Sequence, residues 1–490
     1  MATATFTKRV IGSSHWRDRP APSSFRSRME EIMGTMDTRR RGARALLPLS
    51  LGIAALLAFG PVAAGAATVS AAWSAKIGSA GVNGTATISA FTTGTGTMAL
   101  KVARMKGSTS LPVVLHKGSC SSVGAVLLTL APIRTTSSGA ASRTSGLTAA
   151  QVTKITAAAT AGKIAIRIGT GTARKCGLFA PLAIPPYVAA SITVGRGPHG
   201  VAVSPSGAWV TNWLDNTLTR IDPTTAKVLQ TLPLTLTGNA GPEAIAFGDG
   251  SLWVTTTEFD DSGNALAGSL VRVNPASGQQ QATIPIGKGA FDVEVSPGAV
   301  WVPLINDNSV LRIDTATNAV AATIPVPGGP LGVAFGAGSL WVSSSDDGKV
   351  ARIDPATNSI VTTIATQDSG GYIAFGGGAV WVTNAGHKDT PDGMLTRIDP
   401  ATNGVTASVT VGSNPVELAY AGGSVWVGLF GTPTVVRVSA TTSAVLNRVT
   451  VSHPVYSIAA TEHAVWAVHN LESADPTALP PPGVVTRIAY

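Results

Sequence analysis

From residue 188 onward, short apolar runs alternate with polar turns in a unit that recurs about every 40 residues. The clearest unit reads Gly329-Pro330-Leu331-Gly332-Val333-Ala334-Phe335, then Leu340-Trp341-Val342, then Val350-Ala351-Arg352-Ile353, then Ile360–Ile364. Runs of that length bounded by Gly, Pro, Asp and Asn read as strands. Four strands, A to D, in about 40 residues is the period of a β-propeller blade. A Trp-hydrophobic pair marks strand B at Trp209, Trp253, Trp301, Trp341, Trp381, Trp426 and Trp466. An Arg marks strand C at Arg220, Arg272, Arg312, Arg352, Arg397, Arg437 and Arg487, so the expectation is seven blades.

The turns agree with this division. Asp354-Pro355-Ala356-Thr357-Asn358 places Pro where a turn needs its fixed φ, between residues whose side chains bond the local backbone. Asp222-Pro223, Asn274-Pro275 and Asp399-Pro400 repeat it as C–D hairpins. The chain stops after the strand holding Arg487 and Ile488, which leaves the seventh blade without a D strand. The D pattern stands instead ahead of the first blade, as Ala190-Ser191-Ile192-Thr193-Val194-Gly195. That strand is expected to complete the last blade and lock the ring, leaving no unpaired closing edge.

With Ile353-Asp354-Pro355-Ala356-Thr357-Asn358 and Thr323-Ile324-Pro325-Val326, residues 188–490 resemble the YVTN-type propellers. They are also similar to the streptogramin (virginiamycin B) lyase family. That resemblance implies an all-β, seven-bladed propeller and raises the question of a metal-dependent carbon–oxygen lyase. In that family a Pro-His at D–A connectors and a Glu near the end of strand B carry the chemistry. Pro198-His199-Gly200 matches the first part, but the B-strand ends are Asn212, Thr256, Leu304, Ser344, Asn384, Leu429 and His469, none of them Glu. Blade seven offers His453-Pro454 in reverse order. His199, Glu243, His453 and His469 fall in blades that become neighbours on closure, and form the catalytic set of this alternative.

Arg follows Trp by eleven positions in blades one, three, four and six, but by nineteen, sixteen and twenty-one in blades two, five and seven. All three insertions lie in B–C connectors, hence on one face, and one-sided insertions in a repeat array mark a binding face. That face is acidic. It carries Glu258, Asp260 and Asp261 in blade two, His387, Asp389 and Asp392 in blade five, and Glu472 and Asp475 in blade seven. The D–A connectors add His199, Glu243, Asp292 and Glu417, with Glu294 further in. A solvated rim and a site for a cationic ligand both fit. No cofactor is implied, although Mg2+ or Ca2+ would suit such carboxylates. The tryptophans are expected to pack between blades. The arginines are expected to bond a carbonyl, or the acid two residues on.

Residues 68–180 form a small basic β-sandwich-like domain, followed by a Pro-rich linker at 181–187. Strands are expected at Gly84–Phe91, Gly96–Met105, Leu111–Leu115, Ala125–Leu130 and Gly162–Ile168, with one helix over Leu147–Ala161. His116-Lys117-Gly118-Ser119-Cys120 and Arg174-Lys175-Cys176-Gly177-Leu178 resemble the disulfide loop and last strand of copper/zinc superoxide dismutase-like and chordin-type sandwiches. The resemblance implies a Cys120–Cys176 bridge, with two free thiols as the alternative. It does not carry the metal site, because the domain's single histidine, His116, cannot supply the converging imidazoles.

Residues 1–67 read as an export segment. Arg39, Arg40, Arg41 and Arg44 precede a charge-free run from Ala45 to Ala75, with Ala64-Gly65-Ala66 as a small-x-small cleavage site. An uncleaved anchor is the alternative. Translation from Met29, Met33 or Met36 would suit that order better than Met1. The expected location is outside the cytoplasm, secreted or in the cell envelope, as a monomeric binding module.

The net charge of +9 decomposes unevenly. Residues 1–44 contribute +6, residues 68–180 contribute +12 with no Asp or Glu, and the propeller contributes −9. A nucleic-acid partner for the acidic ring is therefore excluded. The basic domain is expected either to attract the ring or to hold the protein to an anionic envelope polymer.

Overall fold

The computed structural model describes residues 69–490 apart from 78–83, 92–94, 106–107, 161–163, 171–174, 182–185, 237, 239, 261–264, 367–369, 385–391 and 472–479. They fall into two compact units, divided between residues 187 and 188.

The first unit holds β1 (Val69–Ile77), β2 (Gly84–Phe91), β3 (Gly96–Val102), β4 (Ser110–Gly118), β5 (Val123–Arg134), β6 (Ala141–Leu147), α1 (Ala149–Thr160), β7 (Ile164–Ile168) and β8 (Lys175–Pro181). The expected sandwich is one eight-stranded antiparallel sheet in the order β5-β4-β7-β8-β1-β2-β3-β6, curled nearly to closure. Across the seam between its edge strands, Arg143 of β6 donates to the Ala131 and Pro132 carbonyls of β5. Strict alternation drives the curl. Met98, Leu100 and Val102 of β3 are buried, while Ala99 and Lys101 are exposed. Helix α1 starts at a capping box: the Thr148 amide donates to Gln151 Oε1 and the Gln151 amide returns to Thr148 Oγ1. Its Val152, Ile155 and Ala158 pack into the core. Cys120, in the β4–β5 turn, is bonded to Cys176 of β8, with Cα atoms 5.8 Å apart.

The second unit is the seven-bladed propeller. Strand β9 (Tyr187–Thr193) comes first; β10 to β33 then make six four-stranded sheets spanning 198–233, 241–288, 294–325, 330–365, 370–413 and 415–450. The seventh sheet is β34 (Ser457–Thr461), β35 (Ala464–His469) and β36 (Val484–Ala489), with β9 as its outermost member. The N-terminal strand therefore supplies the missing D strand.

Burial grades outward along each blade. The B strands, caught between neighbouring blades, are buried at every position, as in Ser339–Ser344. The D strands alternate, as in Ala319–Pro325. All seven B-strand tryptophans are fully buried. In blades two, four, five and six the A–B hairpins turn on paired positive φ, for example Ala337 at 49° and Gly338 at 69°, as a two-residue type I′ turn requires. In the C–D turns, Asn318, Asn358 and Asn403 take positive φ while Asp314, Asp354 and Asp399 accept from the turn amides.

Each strand-C arginine lies over its own blade's tryptophan, 4.8 to 5.8 Å from the ring centroid. In blades one, two and four these arginines make carbonyl bonds that reach the next blade. Arg272 donates to the Thr315 carbonyl and Asn318, and Arg352 to the Pro400 carbonyl and Asn403. The acids two residues on cap turns.

Candidate functional site

The register of A against B fixes the two faces. Pro198, which opens strand A, pairs with Asn212, which ends strand B, and Asn212 pairs with Thr217, which opens strand C. D–A and B–C connectors therefore share a face, as strands of alternating direction require. The A strands stand innermost and line an axial space of about 250 Å³ to which all seven blades contribute.

An innermost strand has one edge without a β partner, and its amides need acceptors. Strand A is also bulged near its start, between Pro198 and Val201 in blade one and at the matching place in blades two, four, five and six. In four blades a hydroxyl two residues past the Trp fills the gap. Gly200, Ala244, Gly332 and Tyr372 donate their amides to Thr211, Thr255, Ser343 and Thr383. Blades three, six and seven have Pro303, Gly428 and Val468 at that place. Those three carry a polar side chain nine positions ahead of the Trp: Asp292, Glu417 and Ser457. Each reaches the next blade. Asp292 accepts from the Val333 amide, Glu417 from the Ile458 amide and Ser457 from the Val201 amide. Glu294, two positions deeper, accepts from the Phe335 amide.

Three acids expected on the outer rim or just inside it are thus channel-lining groups that bond neighbouring blades together. They keep partial contact with the channel while lying deep among protein atoms. Burial pushes the Asp292 carboxyl well above the usual range, and the Glu417 charge pushes it further. Burial raises Glu294 and Glu417 to about 7. Tyr372 is raised well above the ordinary phenol by burial and by Glu417, Asp292 and Glu243.

At the channel mouth the sevenfold pattern breaks. The residues ten positions ahead of each strand-B Trp are His199, Glu243, Phe291, Leu331, Gly371, Val416 and Tyr456. His199 Nδ1 lies 2.7 Å from Glu243 Oε2, with the two side chains 8% and 4% exposed. The imidazole is stacked between Trp213, at 6.1 Å and 14°, and Tyr456, at 5.8 Å and 18°. Phe259 meets Trp213 edge-on and Phe430 meets Tyr456 edge-on, extending an aromatic wall across four blades, six, seven, one and two.

The expected set of His199, Glu243, His453 and His469 resolves into two couples. His199 meets Glu243. The His453 and His469 rings are 6.2 Å apart. His469 is fully buried, with Nδ1 against the Pro454 carbonyl and Nε2 against the Thr486 hydroxyl. A carbonyl only accepts, so Nδ1 carries a proton, and burial depresses the pKa of the ring. His469 is built into the blade. Glu258 and Asp260 stand half-buried beside Phe259. Asp261, His387, Asp389, Glu472 and Asp475 lie outside the described residues, and Asp392 is described only as the first residue of a strand. Among the described residues, no group of three or more His, Cys, Asp or Glu is arranged to hold a metal ion, and no step is derived through one.

Sequence reasoning missed Trp213, Tyr456, Phe430 and Phe259. Trp213 is the readable one, as the only propeller tryptophan out of register with the repeat.

No family model matches the chain, and no curated protein matches it. Among solved structures, hydrazine synthase of Kuenenia stuttgartiensis is 18% identical with a TM-score of 0.48, over 56% of this chain and 93% of that one. A chain of a mitotic checkpoint complex is 11% identical with a TM-score of 0.50, over 62% of this chain and 97% of that one. At such identity the second likeness speaks to fold alone.

Proposed function

We propose that this is an exported binding protein whose propeller takes its ligand over the channel mouth, on the face carrying the B–C insertions. One observation carries the reading. At a single place on a near-sevenfold ring, a His–Glu pair is held between two aromatic rings, with further aromatics beside it. Structural packing repeats with the blades, whereas recognition needs a unique spot. Aromatic faces over an acidic channel suit a planar or cationic ligand. The Cys120–Cys176 bridge supports an oxidising location. No helix among the described residues is long and apolar enough to cross a membrane.

The test is a thermal-shift screen of the full chain with cationic and neutral aromatic solutes and basic peptides. Wild type is run beside Tyr456→Ala and His199→Gln. Compounds that stabilise wild type and lose their shift in both variants support the site. Compounds indifferent to both place recognition elsewhere.

The 2.7 Å contact also favours a second reading, in which Glu243 orients His199 as a general base in a lyase-type elimination. If that reaction depends on Mg2+ or Ca2+, adding either ion or EDTA moves the melting temperature. An unmoved temperature removes the metal-dependent form.

A further inference from the structure

We propose that the basic unit binds an anionic glycan polymer, bearing carboxylate or phosphodiester groups, along the outer wall formed by β1, β2, β3 and β6. The inference is independent of the propeller's ligand.

Residues 68–180 hold twelve Lys and Arg and no acid at all. In a stretch that long, ordinary composition would supply about a dozen Asp and Glu. No carboxylate lies within residues 51–187, so any anion that pairs with these cations comes from outside that stretch. The register gathers part of the charge. Lys76 pairs with Thr85, Thr85 with Lys101, and Lys101 with Ser142, so these four stand in one row across four strands. All four are exposed. Neighbouring strands are about 4.8 Å apart, which sets the two ammonium stems roughly 10 Å apart along the row. The adjoining outward row is Ser74, Thr87, Ala99 and Thr144, again short and mostly hydroxylic.

The surface is thus the convex outer face of a curled sheet, made of short hydroxyls and crossed by a lysine row. Ammonium groups meet the polymer's anions, and the hydroxyls meet sugar or polyol hydroxyls. A glycan fits better than a nucleic acid. Trp73 and Phe179 are buried in the core, not offered for base stacking, and the disulfide points to a compartment outside the cytoplasm.

The experiment measures binding of the full chain to immobilised polygalacturonate and to poly(glycerol phosphate). Neutral dextran is the control and duplex DNA the competitor, with salt raised from about 50 to about 500 mM. The expected result is binding to at least one anionic polymer and none to dextran. Affinity should fall linearly on a log–log salt plot. Whichever polymer binds more tightly identifies carboxylate or phosphodiester as the preferred anion. The pair Lys76→Gln with Lys101→Gln should lose about tenfold and flatten the slope by about two ions, whereas Lys154→Gln, on exposed α1, should lose about twofold at most. Circular dichroism confirms that the variants fold. Binding to neither polymer, equal losses in the double and the Lys154 variants, or tighter binding of DNA at matched charge would each overturn the proposal.

Discussion

Amides near the start of strand A that lack a ladder partner need acceptors, and two kinds of side chain supply them. Thr or Ser two places past the Trp accepts from its own blade's strand A in blades one, two, four and five; Asp292, Glu417 and Ser457, carried by blades three, six and seven, accept from the next blade's strand A, in blades four, seven and one. This exchange was legible in the sequence, because Pro303, Gly428 and Val468 coincide with the polar residues at the A strands. It was obscured because the acids were read by charge, as a rim, and not by the backbone groups they satisfy. Its consequence is an unusual pH dependence. Unfolded, Glu294 and Glu417 titrate near 4.5, and folded near 7. Between those values the folded chain holds protons that the unfolded chain has released. The stability these groups contribute is therefore full below about pH 4.5 and is lost as pH rises through about 7. Each shift corresponds to about 3 kcal/mol before any relief from channel water. Asp222, Asp314 and Asp354, held below 3.8 by turn hydrogen bonds, act only at lower pH, outside this window. Calorimetry should find a lower Tm at pH 8 than at pH 5. Glu294→Gln and Glu417→Gln each keep an accepting oxygen and lose the charge, so each should flatten that difference. A pH profile identical in wild type and both variants would refute the assignment.

Among the elements, the propeller strands were readable and their partners were too, since each blade pairs neighbours in sequence. Strand β9 was the one long-range pairing, and it could be read because the seventh blade lacked a D strand. The basic unit offered no such deficit. Its alternating Thr, Ser and aliphatic positions marked strands, but the order β5-β4-β7-β8-β1-β2-β3-β6 rests on pairing between distant segments. Two of its strands were not anticipated. Ala141–Leu147 is mostly polar or small, and Val69–Ile77 begins inside the charge-free run that reads as export signal. The closure by β9 has a direct energetic test. Ile192 is 6% exposed and packs with Trp466 and Val485 of blade seven and Val210 of blade one. Ile192→Ala removes that filling and should cost about 2–4 kcal/mol in urea unfolding. Val188, on the same strand but 37% exposed, should cost under about 0.5 kcal/mol when changed to Ala. Equal costs would mean that β9 is not holding the ring.

For the whole molecule, the +9 is an average that neither unit shows: one carries only bases and the other a surplus of acids. The only two cysteines show the same division, because both belong to the basic unit and none to the ring. The Cys120–Cys176 link spans 56 residues, and in the loop-entropy account a closure of that length is worth about 4 kcal/mol. A unit of this size is stabilised mainly by one modest core, so such a loss is a large part of its margin. The bond closes no loop within the propeller. Reduction should therefore lower one calorimetric transition by more than about 10 °C while a second moves by about 1 °C or less. Substituting Cys120→Ser with Cys176→Ser should reproduce the reduced profile without reductant and make it insensitive to dithiothreitol. The transition that moves should be the one sensitive to the substitution Ile155→Ala in α1, which is buried in that unit's core, and the other should respond to Ile192→Ala. If reduction left both transitions in place, the bridge would not be part of what holds the basic unit folded. If both fell together, the two units would be melting as one cooperative body, and the ring's independence of the disulfide would be lost.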